Sequence, residues 1–173
     1  MPQPSFIHLR LHSEYSIADG IVRIPEAIAA AKQDVMPALA LTDLNNVFGL
    51  IKFYQAARAA GIKPIIGCDV FISNPAERDK PSRLLLLCQS NVGYLRLCDL
   101  VTRAYLERQS SGRIEIHKQW LRDGTDGLLA LSGAHLGEVG TALLNGNRAT
   151  ARQLALECPL LWGPAAPPTA ARP

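Results

Sequence analysis

No apolar run in this sequence approaches the roughly 18 residues that a membrane-spanning helix requires, so a helical span and a membrane partner are excluded. The opening Met1-Pro2-Gln3-Pro4-Ser5 has neither the basic flank nor the long apolar stretch of a secretory signal, and the expected compartment is the cytoplasm. Cysteine is scarce: Cys68, Cys88, Cys98 and Cys158 stand singly, without a C-x-x-C pair or the spacing of a disulfide framework. They read as reduced core thiols. An excess of one charge is lacking too, because 18 Lys+Arg stand against 15 Asp+Glu for a net +3. So small and dispersed an excess gives no basis for nucleic-acid binding by this segment alone.

Hydrophobic residues, by contrast, are plentiful. They make up 48% of 173 residues, enough for the core of one domain and too many for a disordered chain. They are also patterned. In His8-Leu9-Arg10-Leu11-His12, read as a strand, Ile7, Leu9 and Leu11 share one face while His8, Arg10 and His12 share the other. Asp19-Gly20 follows after a short loop. Histidines with an aspartate beyond a strand suit a metal site, but a guanidinium stays protonated and cannot ligate. A hydrogen-bonded polar core accounts for the same residues, and the pattern leaves both readings open.

Helix and strand signals then alternate. Pro25–Lys32 has a first-turn proline and helix-forming alanines; Met36–Leu41 is a short apolar strand ending at Thr42-Asp43. Val47–Ala60 repeats at helical spacing and closes on Gly61. Lys63–Ile72 is extended, Ser73–Ser82 a polar loop, and Arg83–Cys88 a continuous apolar strand of the kind buried in a parallel sheet. A helix opens at Asn91, carries Leu97, Leu100, Val101, Ala104 and Tyr105 as an apolar stripe, and ends in the polar stretch Gln109–Arg113. A short helix near Lys118–Leu121, a strand Gly127–Ser132 and helices near Glu138–Leu144 and Ala149–Glu157 complete the order. The expected fold class is α/β with a parallel sheet or barrel, and its chemistry is expected in the loops after the strands, at His12, Asp19, Asp43, Asp69 and Ser132. Each of these taken singly is a normal capping or turn residue. From Pro159 onward, five prolines in fifteen residues break the pattern. Residues 158–173 therefore read as a disordered or frameshifted tail, or as a ligand for a proline-binding partner.

The ordered set His8–Ser16 with Asp19-Gly20, Ala38–Asp43, Gly49–Tyr54, Gly61–Gly67, Asn91–Tyr94, Arg103–Tyr105 and Gly127–Gly133 resembles the polymerase and histidinol phosphatase (PHP) domain at the N-terminus of bacterial DNA polymerase III alpha subunits. The resemblance implies a partial PHP domain over residues 1–157, an incomplete PHP-type distorted (β/α)7 barrel. It also implies a metal site at which His12, Asp19 and Asp69 occupy ligand positions as vestiges. Arg10, Leu44 and Arg83 stand where active relatives carry histidine, and Ala134 where they carry cysteine. A leucine cannot ligate, and two fixed cations repel metal ions.

Arg10 and Arg83 are therefore expected to pair with Asp19 and Asp69 in place of a metal cage. No cofactor is expected on this reading. The implied role is a structural module of a replicative polymerase that docks the proofreading exonuclease subunit beside the other holoenzyme subunits. Polymerisation and DNA contact belong to a palm and other domains beyond this chain. The alternative is a metal-dependent phosphoesterase or 3′-5′ exonuclease, holding zinc or manganese with His8, His12, Asp19, Asp43 and Asp69.

Overall fold

The protein is described by a computed structural model over residues 6–17, 19–74, 79–111 and 113–162. The expectations for the extreme N-terminus, for 75–78 of the polar loop and for 163–173 lie outside the described residues. The first helix, α1 (Ile24–Gln33), has Pro25 in its first turn, where the missing N–H is unneeded, and buries Ile24, Ile28 and Ala31 at helical spacing. Next comes β1 (Ala38–Leu41), buried along its whole length. Helix α2 (Leu50–Ala59) buries Phe53 and Ala57 and stops before Gly61, whose φ of +79° ends the turn. It starts later than the sequence periodicity predicts, because Asn46 Oδ1 accepts the Phe48 N–H and holds that stretch as a turn.

The long strand β2 (Lys63–Ile72) serves two neighbours in succession. Its first part pairs in parallel with β1, from Ala38↔Lys63 to Leu41↔Ile66, and its second part pairs antiparallel with β3 (Ser82–Cys88), from Gly67↔Leu87 to Ile72↔Ser82. The changeover falls at Gly67, where a Cβ would lie 2.5 Å from the Leu86 carbonyl oxygen. Strand β4 (Leu128–Ser132) adds antiparallel to β3, giving a four-stranded sheet of order β1-β2-β3-β4.

The sheet is therefore mixed, which corrects the expected parallel arrangement. An apolar run looks the same in either direction. Between β2 and β3 the connection decides: a parallel crossover needs about a dozen residues or more, usually with a helix, and the shorter 73–81 connection carries no helix among its described residues. The opening segment is corrected as well. It runs beside β1, with the Ala40 N–H donating to His8 O at 3.0 Å and the Thr42 N–H to Leu11 O at 2.9 Å. Leu11 N–H, however, donates to Thr42 Oγ1 at 2.9 Å, so a side chain replaces the backbone acceptor and no regular ladder forms.

One face of the sheet is covered by α3 (Asn91–Ser111) and α4 (Lys118–Arg122). Val70, Leu86, Leu97, Leu100, Trp120 and Leu128 make that core. A second core forms where α1 and α2 pack on β1. The other face of the sheet holds the small cluster Ala40, Leu85 and Leu87. Helix α3 ends at Ser111, within the polar stretch Gln109–Arg113 expected to end it. The chain closes with α5 (Glu138–Leu144) and α6 (Arg148–Trp162), hinged at Gly146 with φ +73°. Helical backbone thus extends through Pro159 to Trp162, into the stretch read as tail from its proline content.

Candidate functional site

The second half of β2 carries Asp69 on the face away from α3, and β3 brings Arg83 beside it through the register Phe71↔Arg83. Because β3 runs antiparallel, its start and the end of β2 meet at one rim. The opening segment lies along β1 and delivers Arg10 and His12 to the same place. Asp69 is 1% exposed, and its Oδ2 accepts from Arg10 Nε at 3.0 Å, Arg10 Nη2 at 2.5 Å, His12 Nε2 at 3.0 Å and Arg83 Nη1 at 3.2 Å. The ring closes through Asp19: its Oδ1 lies 2.9 Å from His12 Nδ1 and its Oδ2 accepts from Arg83 Nη2 at 3.3 Å. The Arg83 guanidinium also stacks 4.6 Å from the Phe71 ring centroid.

Both nitrogens of His12 thus face carboxylate oxygens. A neutral imidazole has one N–H and one lone pair, so one of these contacts would set a lone pair against an anion. The cation satisfies both. The hydrogen bond to Asp69 accordingly raises the His12 pKa above its ordinary 6.5, against the opposing effect of burial, and the charge of Asp19 adds to the rise. Burial pushes Asp69 upward, but hydrogen bonds from His12 and Arg10 outweigh it and its pKa falls below 3.8.

This donor set does not fit a metal. An imidazolium offers no lone pair, one oxygen of Asp69 is already surrounded by three cationic groups, and two guanidinium groups occupy the space where positive charge would sit. Among the described residues, no group of three or more His, Cys, Asp and Glu is placed to hold a metal ion. His8 lies apart, edge-on to the Phe6 ring at 4.7 Å. Leu44 bridges to Asp69 through the backbone alone, and Ala134 begins a 3-10 turn, Ala134–Leu136, with a φ of +49°. Ser132 ends β4, paired with Leu84.

Asp43 belongs to a different arrangement, so the five-residue ligand set of the phosphoesterase reading is split. Its Oδ1 accepts from the Ser13 N–H at 2.6 Å, Ser13 Oγ at 2.9 Å and Ser16 Oγ at 2.8 Å, while Ser13 Oγ lies equally close to Oδ2. Ser16 Oγ in turn accepts the Leu44 N–H at 3.0 Å. This buried knot ties the 3-10 turn Glu14–Ser16 to the end of β1. Gly20 seals it, since a Cβ there would lie 1.9 Å from Ser13 O. Sequence reasoning missed Ser13 and Ser16; the available signal was two serines spaced by one turn, directly after the histidine motif. It also missed Asn45, which takes a φ of +55°, accepts the Phe71 N–H and donates to Ile114 O. An Asn-Asn pair after a strand was the clue, because asparagine tolerates that conformation.

Burial holds two of the thiols, Cys68 and Cys88, toward the neutral form. Cys68 is fully buried, donates to Asp43 O at 3.2 Å, and burial pushes its pKa far up. Burial, with Cys98 nearby, pushes Cys88 up to about 11.

The PHP domain family matches residues 8–163. DNA polymerase III subunit alpha of Neisseria meningitidis is 51% identical over 159 residues, covering 91% of this chain and 14% of that protein. The Pseudomonas fluorescens subunit is 44% identical over 88% of the chain, and that of Escherichia coli K12 41% identical over 86%, each match spanning 13% of the relative. Among solved structures, an amidohydrolase from Chromobacterium violaceum with bound sulfate and no metal aligns at a TM-score of 0.46, with 19% identity, over 88% of this chain and 49% of its own. A Bifidobacterium adolescentis protein described as a metal-dependent phosphoesterase aligns at 0.46, with 13% identity, over 61% and 35%.

Proposed function

The chain belongs to the PHP domain family, and from that premise we propose that it is a non-catalytic structural module of a replicative DNA polymerase, its ancestral metal site replaced by an ion-pair ring. The similarity to alpha subunits of DNA polymerase III spans about one-seventh of their length, so polymerisation is assigned to polypeptide beyond this segment. The fold is read as part of a distorted PHP barrel, working in the cytoplasm beside the proofreading exonuclease and the other holoenzyme subunits. No helix among the described residues is long and apolar enough to cross a membrane.

The observation that carries this reading is His12 held between Asp19 and Asp69 with both nitrogens engaged. In a metal cage those atoms would point lone pairs at a cation. Here Arg10 and Arg83 supply the compensating charge instead, and a buried carboxylate tolerates desolvation only when so paired. The ring then fixes the opening segment, β2 and β3 to one another without a cofactor.

Metal analysis of the purified chain tests this, together with hydrolysis of a generic phosphate ester and a thymidine ester. The expected result is no stoichiometric zinc or manganese and no turnover that depends on His12. Bound metal with hydrolysis abolished in His12→Ala would establish the phosphoesterase or exonuclease reading instead. The double variant Arg10→His with Leu44→His is expected to stay free of tight zinc, because Arg83 remains in the ring; stoichiometric zinc there would overturn the idea. Capture of the exonuclease subunit by the metal-free chain tests the docking role.

A further inference from the structure

Asparagine is chemically labile, because the backbone nitrogen of the next residue can attack its side-chain amide. Six asparagines stand in the sequence, and Asn145 alone is followed by glycine. The others differ in ways that matter to that attack. Asn45 and Asn46 are buried and hydrogen-bonded. Asn74 precedes Pro75, which has no N–H, and Asn91 precedes the β-branched Val92. Asn147 Oδ1 accepts the Thr150 N–H at 3.1 Å at the start of α6. Asn145 and Gly146 form the exposed turn between α5 and α6. Around Gly146 there is open space, since an added Cβ would meet nothing within 4 Å.

We propose that Asn145-Gly146 is a site of spontaneous covalent modification that loosens the α5–α6 hairpin. The Gly146 nitrogen attacks Cγ of Asn145. A bond forms between them as the Cγ–Nδ2 bond breaks, and Nδ2 leaves as ammonia with the proton of the Gly146 amide. Water then opens the resulting imide, at Cγ to leave aspartate or at the backbone carbonyl to leave isoaspartate, whose main chain is one methylene longer. Closing the ring requires the Gly146 nitrogen to swing toward Cβ of Asn145, so ψ of Asn145 must turn far from its value of 7°. That turn breaks the bonds from Gly146 N–H to Leu143 O, 3.0 Å, and from Asn147 N–H to Ala142 O, 2.9 Å. Reaction is therefore gated by local opening of the last turn of α5. Either product sets a new carboxylate at the C-terminal end of that helix, where the backbone dipole disfavours negative charge. Isoaspartate also shifts Gly146 N–H away from Leu143 O, and the hairpin opens more readily afterwards.

Incubation of the full 173-residue chain at mildly alkaline pH, folded and in guanidinium chloride, tests the proposal, with mass spectrometry of the tryptic fragment 123–148. Asn145 is expected to convert from amide to acid ahead of the other five asparagines, with isoaspartate resolved as a separate chromatographic peak. The folded chain is expected to convert more slowly than the denatured one but within about a hundredfold, as opening of a surface turn allows. Asn145→Gln, whose longer side chain disfavours the ring, is expected to abolish the conversion. Hydrogen exchange of the converted chain is expected to rise across α5 and to stay unchanged in β2. A folded chain more than about a hundredfold slower than the denatured one, Asn147 converting as fast as Asn145, or unaltered exchange in α5 after conversion would overturn it.

Discussion

Asp69 and Asp43 are both carboxylates with 1% of their surface exposed, and the backbone on either side of them pairs directly, Asp69 N–H donating to Asp43 O. Their burial is compensated by opposite means. Asp69 is surrounded by an imidazolium and two guanidinium groups, Asp43 by a backbone N–H and two serine hydroxyls. The first solution keeps charge against charge at a rim where Arg10 still meets water. The second uses neutral dipoles inside the protein. Two buried acids can thus be compensated by side-chain and backbone donors alone, provided each has donors of its own.

Breaking the neutral knot is expected to cost most. Asp43→Ala leaves the Ser13 N–H and two hydroxyls without their acceptor, and at about 1–3 kcal/mol per orphaned buried donor the loss is about 4 kcal/mol in urea unfolding. Asp69→Ala is expected to cost somewhat less, about 3 kcal/mol, because Arg10 can turn its exposed head to solvent while Arg83 and His12 repel. A larger loss for Asp69→Ala than for Asp43→Ala would invert the comparison.

The ring also carries a pH signature. His12 has its pKa raised from 6.5, so its contribution is complete below that pH and is lost as pH rises through the folded-state value. Asp69 has its pKa lowered from 3.8, so its contribution is present above that pH and is lost as pH falls through the folded-state value. Melting temperature is expected to peak between these two pH values and to decline on the alkaline side, and His12→Gln is expected to remove that alkaline decline. An unchanged profile in His12→Gln would show that the imidazolium is not what holds the ring. Least costly is Arg10→Ala, about 0.5–1 kcal/mol, since this side chain is 43% exposed and its contact is weakened by solvent and salt.

Much of the scaffold was legible in the sequence. The spacing of Ile24, Ile28 and Ala31, and of Leu97, Leu100 and Ala104, located α1 and α3, and the apolar runs located all four strands. Strand direction was not legible in Arg83–Cys88, because burial on both faces leaves no trace of which way a neighbour runs. The site was legible by residue type, and the pairing of Arg10 and Arg83 with Asp69 and Asp19 was expected and is found, whereas the place of His12 between the two carboxylates was not foreseen. Arg10, His12, Asp19, Asp69 and Arg83 were each candidates, yet their meeting depends on the Phe71↔Arg83 register and on a segment beside β1 that forms no regular ladder. Ser13 and Ser16 were overlooked because a serine that binds a buried carboxylate has the same letter as one in a solvated turn. Asp43 was misplaced for the converse reason: an aspartate after a strand suits a metal as well as a knot.

The changeover at Gly67 has a consequence for cooperativity. One core rests on the part of β2 before this glycine and the other on the part after it, so a single backbone bar runs through both. Neither half can open without freeing the amides on either side of the pivot. Hydrogen exchange at Ile66 and Cys68 accordingly reports the unfolding of the whole domain, while the helical hairpin of α5 and α6, off the bar, is free to open on its own.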